Sequence, residues 1–252
     1  MHVRLDSGKV NKWLAFLRLY AVRFRRAEIL WEDGERVFCR AWQPGDGGRR
    51  RAVTIVLPAA DHPSRSSLER LTHEYGLKDQ LDGVWAVRPL DLVRDAGRTM
   101  LVLEDVDGEP LDRLLGAPVE VERFLGLAIA MAAAVGGLHQ CSLVHKDIKP
   151  ANILVNGTTG EIRLTGFGIA SRFTRERQSP HPPETIAGTL AYMAPEQTGR
   201  MNRSIDSRSD LYALGVTFYQ MLTGSFLFFG GRSSFKIKKL VKCLPKLCLF
   251  TT

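Results

Sequence analysis

Short runs of alternating or β-branched apolar residues fill the first part of the chain, and a helical period takes over after Glu104-Asp105. Ala27 to Trp31 predicts a strand, Asp33-Gly34 a hairpin turn and Arg36 to Trp42 the returning strand. Ala52 to Leu57 predicts a third strand, after a glycine-rich loop at 44–48. A helix follows over about Ser66 to Leu81, with Ser66 or Ser67 as its cap and Leu68, Leu71 and Tyr75 on one face. Trp85 to Leu92 and Thr99 to Leu103 predict two more strands. Beyond them Val121, Phe124, Leu125, Ala128, Met131, Ala132, Val135 and Leu138 mark one face of a long helix, expected to be largely buried. A short hairpin is predicted over 153–165 and another helix over 209–222. A strand-rich lobe followed by a helical lobe implies an α+β, bilobal fold with a cleft between the lobes.

The chain has 252 residues, ordinary apolar and charged fractions and a net charge of +8. That charge favours acidic partners, although a solvated basic surface explains it as well, and no aromatic–basic motif points to nucleic acid. The four cysteines form no CxxC pair, which fits reduced thiols and a cytoplasmic setting. No uninterrupted apolar stretch reaches the ~18 residues of a bilayer span, so no transmembrane segment is expected. In the basic start of the chain, Trp13, Phe16, Leu17, Tyr20 and Phe24 recur at helical spacing. Arg18 interrupts the one apolar run there, against a secretory signal; a docked helix, a frayed extension and a membrane-surface helix all fit.

The strongest chemical signal is Val144-His145-Lys146-Asp147-Ile148-Lys149-Pro150-Ala151-Asn152. Phosphoryl transfer to a hydroxyl needs a carboxylate to orient the nucleophile, a cation to steady the phosphate and ligands for a metal ion. Asp147, Lys149 and Asn152 supply one of each from a single loop. This run resembles the His-Arg-Asp-x-x-x-x-Asn catalytic loop of protein kinases, and the lysine two residues after the aspartate resembles the serine/threonine branch. Lys146 keeps the charge of the family's arginine but not its fork, so a phosphate on the activation segment would be gripped less well.

Gly188 to Gln197, with Ala194-Pro195-Glu196, resembles the end of a kinase activation segment, and Asp210 to Gly215 the helix whose buried aspartate holds the catalytic loop. The resemblance spans about 27–224. It implies catalytic roles for Asp147, Lys149 and Thr189, cofactor contacts for Asn152, Glu104 and Val106, and a metal ligand in Asn152. Structural or regulatory roles fall to Glu74, His145, Phe167, Glu196 and Asp210. ATP, Mg2+ and a protein substrate or signalling partner follow from the family. The wording of 166–171 and 194–203 is similar to the kinase-like module of large bacterial signalling proteins that continue into ATPase and sensor histidine kinase regions, which would then be partners within a longer parent.

Three departures from the family's pattern strike the nucleotide. Gly166-Phe167-Gly168 stands where the family has a metal-binding Asp-Phe-Gly. Val56 stands where the third strand carries a phosphate-binding lysine, which leaves Glu74 without an obvious cation, and Arg40 or Arg51 could reach the phosphates from a neighbouring position. Glu32-Asp33-Gly34-Glu35 replaces the glycine-rich loop with carboxylates that would repel a triphosphate. The expectation is a weak or impaired ATP-dependent serine/threonine kinase. The alternatives are a pseudokinase regulatory or scaffolding module and a nonfunctional truncated fragment.

The expected organisation is an extension over 1–26, a first lobe over 27–105, an incomplete second lobe over 106–224 and an atypical basic tail over 225–252. The tail has no acidic residue. It reads either as a truncated or frame-shifted ending or as a basic amphipathic segment for anionic membranes or calmodulin-like partners. Ser171, Thr174, Ser179 and Thr185, set among Arg172, Arg175 and Arg177, are candidate phosphosites in what otherwise reads as a flexible polar loop.

Overall fold

The computed structural model describes residues 23–44, 50–95, 98–172, 188–198 and 204–227. Residues 1–22 of the expected N-terminal extension, the tail beyond residue 227, and Thr174, Arg175, Arg177, Ser179 and Thr185 lie outside the described residues. Five strands form one antiparallel sheet in the order β1-β2-β3-β5-β4: β1 (Arg25–Glu32), β2 (Arg36–Pro44), β3 (Arg50–Pro58), β4 (Pro89–Asp95) and β5 (Arg98–Glu104). Period-two alternation divides the side chains between its faces. Val37, Cys39, Ala41, Ile55, Met100 and Val102 pack on one face. Trp31, Phe38, Val56, Leu101 and Leu103 pack on the other, against Leu71 and against Leu154 of the second lobe.

Helix α1 (Arg65–Gly76) crosses the first lobe. Its cap is Ser64, whose side chain accepts a hydrogen bond from the Ser67 amide, so neither Ser66 nor Ser67 is the cap. The helix stops at Gly76 instead of Leu81, because the chain then passes into successive turns. The predicted strand from Trp85 also shifts. Trp85 to Val87 leave the sheet and bond to Leu164, and β4 begins only at Pro89. The Trp85 ring lies against Gly137, where a Cβ would come within 2.5 Å of it, so this crossing needs a glycine.

The second lobe holds β6 (Glu109–Pro110), α2 (Val121–Gln140), β7 (Leu143–Val144), β8 (Ile153–Val155), β9 (Ile162–Leu164), β10 (Ser171–Arg172) and α3 (Ser207–Thr223). Asp206 caps α3, and Gly224 ends it at φ +65°. Ser171 and Arg172 pair with β7, so this part of the expected polar loop is ordered as strand. The main core gathers Met131, Leu138, Leu143, Ile153, Leu164 and Phe167.

Helix α2 corrects one expectation, the set of residues on its buried face. It buries Phe124, Leu127, Met131, Ala134, Val135 and Leu138, whereas Val121, Leu125 and Ala132 are exposed. Among the described residues nothing packs over that outer stripe. With 20 residues it is also long and apolar enough, by composition, to cross a bilayer. Its buried face belongs to the core of the second lobe.

Candidate functional site

The loop after β7 is pinned from below by α3. Asp210 is fully buried; its Oδ1 accepts from the Lys146 amide at 2.8 Å, and its Oδ2 accepts from the His145 amide and pairs with His139 Nε2, both at 2.9 Å. Lys146 takes a left-handed φ of +68°, which turns the chain back toward the cleft. His145 accepts the Asp147 amide on Nδ1 at 3.3 Å and meets the Thr165 carbonyl through Nε2 at 3.1 Å, which fits a proton on Nε2 directed at that carbonyl. Its ring lies 4.8 Å from that of the buried Phe167. On the other side Gln197 donates to the Lys146 carbonyl at 2.8 Å.

Asp147, Lys149, Asn152 and Thr189 converge at the mouth of this loop. Asp147 Oδ1 accepts from the Thr189 amide, and Oδ2 accepts from Asn152 Nδ2 and pairs with Lys149 Nζ, each at 3.0 Å. Lys149 Nζ also donates to Thr189 Oγ1 at 2.8 Å. A carboxylate, an ammonium and a hydroxyl thus meet in one hydrogen-bonded group, the arrangement needed to orient an incoming alcohol beside a cation. Glu196 accepts from Ser209 Oγ at 2.8 Å.

The upper side of the cleft is built differently. Glu74 is buried, and its Oε1 accepts from the Gly166 amide at 3.1 Å, so it is no solvated helix residue. Val56 is buried opposite Phe38 among apolar side chains. Glu104 is held by Arg88 through its backbone and both carboxylate oxygens, and Val106 packs beside Trp31, Phe38 and Leu154. Arg40 pairs with Asp105 at 2.8 Å and Asp107 at 3.1 Å, and Arg51 is exposed on β3; neither reaches the catalytic loop.

The cation that does reach it is Arg36, which the sequence reading missed. Its Nε and Nη2 donate to Asp33 Oδ2 at 2.8 and 2.6 Å, and Nη2 also donates to Asn152 Oδ1 at 2.8 Å. Burial alone would lower its pKa; the charges of Asp33, Glu74 and Asp147 outweigh that and raise it. The turn carboxylates are therefore not free to repel an anion. Asp33 is tied to Arg36 and to the amides of Glu35 and Arg36, and Glu35 pairs with Arg70 at 3.0 Å. A signal existed in the sequence. Arg36 and Phe38 share one face of β2, the face that meets Val56 across the sheet. A cavity opens here, lined by Arg36, Arg70, Glu74, Asp147, Lys149 and Gly166 among others.

Comparison with known proteins agrees with this geometry. The protein kinase domain family matches residues 48–251. The chain is 35% identical over 223 residues to the DNA damage-responsive serine/threonine-protein kinase RqkA of Deinococcus radiodurans, covering 84% of this chain and 31% of that protein. It is 33% identical over 233 residues to serine/threonine-protein kinase A of Synechocystis, covering 86% of this chain and 44% of that one. A third relative, Pkn1 of Myxococcus xanthus, is 38% identical over 138 residues, 52% of this chain and 19% of that protein. The chain thus spans less than half the length of these relatives, and with this fold, this loop and these relatives it belongs to the bacterial serine/threonine protein kinases of the eukaryotic-like family.

Proposed function

We propose that this kinase domain is impaired in phosphoryl transfer from ATP to protein hydroxyls, because its catalytic loop is assembled but its metal–nucleotide site is not. The family uses ATP with a divalent metal ion. The residues present do not fit that group. Magnesium is usually anchored by one or two protein carboxylates together with phosphate oxygens. Position 166 offers no carboxylate, and Asn152 Oδ1, the remaining ligand atom, already accepts from a guanidinium at 2.8 Å. A side chain at 166 would face φ +81° and place its Cβ 2.7 Å from that same oxygen. This crowding at Gly166 carries the proposal. Val56 adds to it, since a neutral side chain in the apolar cluster gives the phosphates no partner.

Removing one preorganised electrostatic group costs roughly 3–4 kcal/mol, about a thousandfold in rate. Two such losses bring turnover near the background. The alternative reading, a pseudokinase that serves as a regulatory module for a protein partner or for further regions of a longer chain, is favoured by the polar contacts that join the lobes directly: Arg36 to Asn152, and Glu74 to the Gly166 amide.

The test is thermal unfolding with Mg-ATP, alongside phosphate transfer to a generic basic protein. A ligand at a hundred times its Kd stabilises the native state by about 2.7 kcal/mol. The expected result is no clear rise in Tm at millimolar Mg-ATP and transfer near background. A clear rise accompanied by transfer overturns the proposal.

A further inference from the structure

Four oxygen-bearing side chains from three separate segments face one small volume at the back of the cleft: Asp33 from the β1–β2 turn, Glu74 from α1, and Asp147 and Asn152 from the catalytic loop. We infer that Arg36 is a resident cation at this point, tying the turn to the catalytic loop beside the Glu74 carboxylate and occupying the volume where a divalent metal ion would otherwise sit. The inference rests on the reading of an incomplete nucleotide site and adds how that site keeps its shape.

The geometry supports it group by group. The Arg36 side chain is 17% exposed and that of Asp33 only 6%, so their pairing is largely shielded from water. Glu74 accepts one hydrogen bond among the described residues, from a backbone amide. A buried carboxylate held by a neutral donor still needs a counter-charge nearby, and the Arg36 guanidinium supplies its field. Asn152 turns its amide nitrogen to Asp147 and its oxygen to Arg36, so the side chain that would have faced a metal faces a guanidinium instead. The same guanidinium lies 5.1 Å from the centre of the Phe38 ring, in reach of a cation–π contact. Arginine suits the post because its planar fork serves two acceptors at once and it stays charged throughout the usable pH range.

The test uses the metal ion alone, so it is separate from the phosphotransfer assay. Tm is measured for wild type, Arg36→Met and Arg36→Lys, each with and without millimolar MnCl2 and no nucleotide. Arg36→Met should lower Tm by about 5 °C or more, because it leaves the carboxylates facing one another. Mn2+ should recover a clear part of that loss and leave wild type unchanged. Arg36→Lys, whose ammonium still fills the volume, should lie nearer wild type and respond less. A wild-type Tm that rises with Mn2+ as much as the variant's overturns the proposal. So does an Arg36→Met Tm equal to wild type, or a loss that Mn2+ does not reverse, which marks ordinary packing. If Arg36→Met does not fold, a folded and Mn2+-silent Arg36→Lys supports the proposal, and a lysine variant that also fails to fold overturns it.

Discussion

The lower wall of the cleft, from Asp147 to Asn152 with Thr189 and Asp210, and the upper wall, formed by the β1–β2 turn, Val56, Glu74 and Gly166, match the family's pattern of residues unequally. Apart from Asn152 Oδ1, which accepts from Arg36 of the first lobe, the polar groups of the lower wall are held by neighbours within the second lobe. Asp210 satisfies two backbone amides, His145 bonds back to its own loop, and Lys149 bridges Asp147 and Thr189. Both partners of each of these contacts lie within the chain. Upper-wall groups of the family are different: a lysine on the third strand and a metal-binding aspartate have their best partners in the ligand. On the reading proposed above, Val56 and Gly166 stand in their places, and Arg36 of another strand carries the charge toward Asn152. That reading separates side chains that also build the fold, which match the family's pattern, from those whose partners lie outside the chain, which depart from it. An intact catalytic loop is therefore weak testimony to catalysis, since folding alone retains it.

The largest break of this contrast comes from the lower wall. Asp210→Ala leaves the buried amides of His145 and Lys146 without their acceptor, and His139 without its partner. Each unsatisfied buried donor costs about 1–3 kcal/mol, and such losses approach the whole stability of a domain. Tm should fall on the order of 10 °C in a thermal melt. A fall under about 2 °C would mean that the loop is held by other contacts and that the fold argument for its retention fails.

Next come the substitutions that restore the family's groups. Val56→Lys places an ammonium among Trp31, Phe38, Leu103 and Leu154, where desolvation opposes the charge. Gly166→Asp meets both a left-handed φ and Asn152, a strain of about 1–3 kcal/mol. Each should lower Tm by several degrees, with Val56→Lys the more damaging. The pair should gain Mg-ATP binding only if Asn152 swings away from Arg36. Unchanged stability in both single variants, read by thermal melts, would show that the upper wall is looser than its packing implies.

How much of this could be read in advance differs between the walls for the same reason. The lower wall is local. Asp147, Lys149 and Asn152 lie within six residues, their spacing survives in the sequence, and the structure brings them together with Thr189. The departures at Val56 and Gly166, whose functional weight belongs to the proposal, are equally legible in the sequence as breaks in the family's pattern. The compensation was not, because Arg36 and Asn152 are 116 positions apart and meet only once the sheet sets over the second lobe. Position in β2 narrows the candidates to the cleft-facing Arg36 and Arg40. Only the hinge carboxylates Asp105 and Asp107 decide that Arg40 turns away. Outside the site, the helical period found α2 but assigned Val121 and Leu125 to the core, because an apolar stripe wider than the available partners looks the same in sequence as a buried one.

The smallest effect sharpens the comparison from behind the upper wall. Cys39 lies on β2 three residues from Arg36 and faces the opposite side of the sheet, fully buried. Burial pushes its thiol up to about 12, against ~8.5 in an unfolded chain. The folded state therefore keeps its proton while the unfolded state loses it, so this group's contribution to stability falls as pH rises from ~8.5 toward ~12. Between pH 8 and 9 that amounts to only about 0.7 kcal/mol. Kinetics give the clearer readout. With iodoacetamide at pH 9 and peptide mapping, the exposed Cys141 should be alkylated at once and Cys39 only when β2 opens. If Arg36 pins β2 to the catalytic loop, Arg36→Lys should speed Cys39 labelling slightly and Asp210→Ala should speed it little in molecules that remain folded. Equal acceleration by both would mean that the two walls open as one unit, and that the distinction between them belongs to chemistry and not to stability.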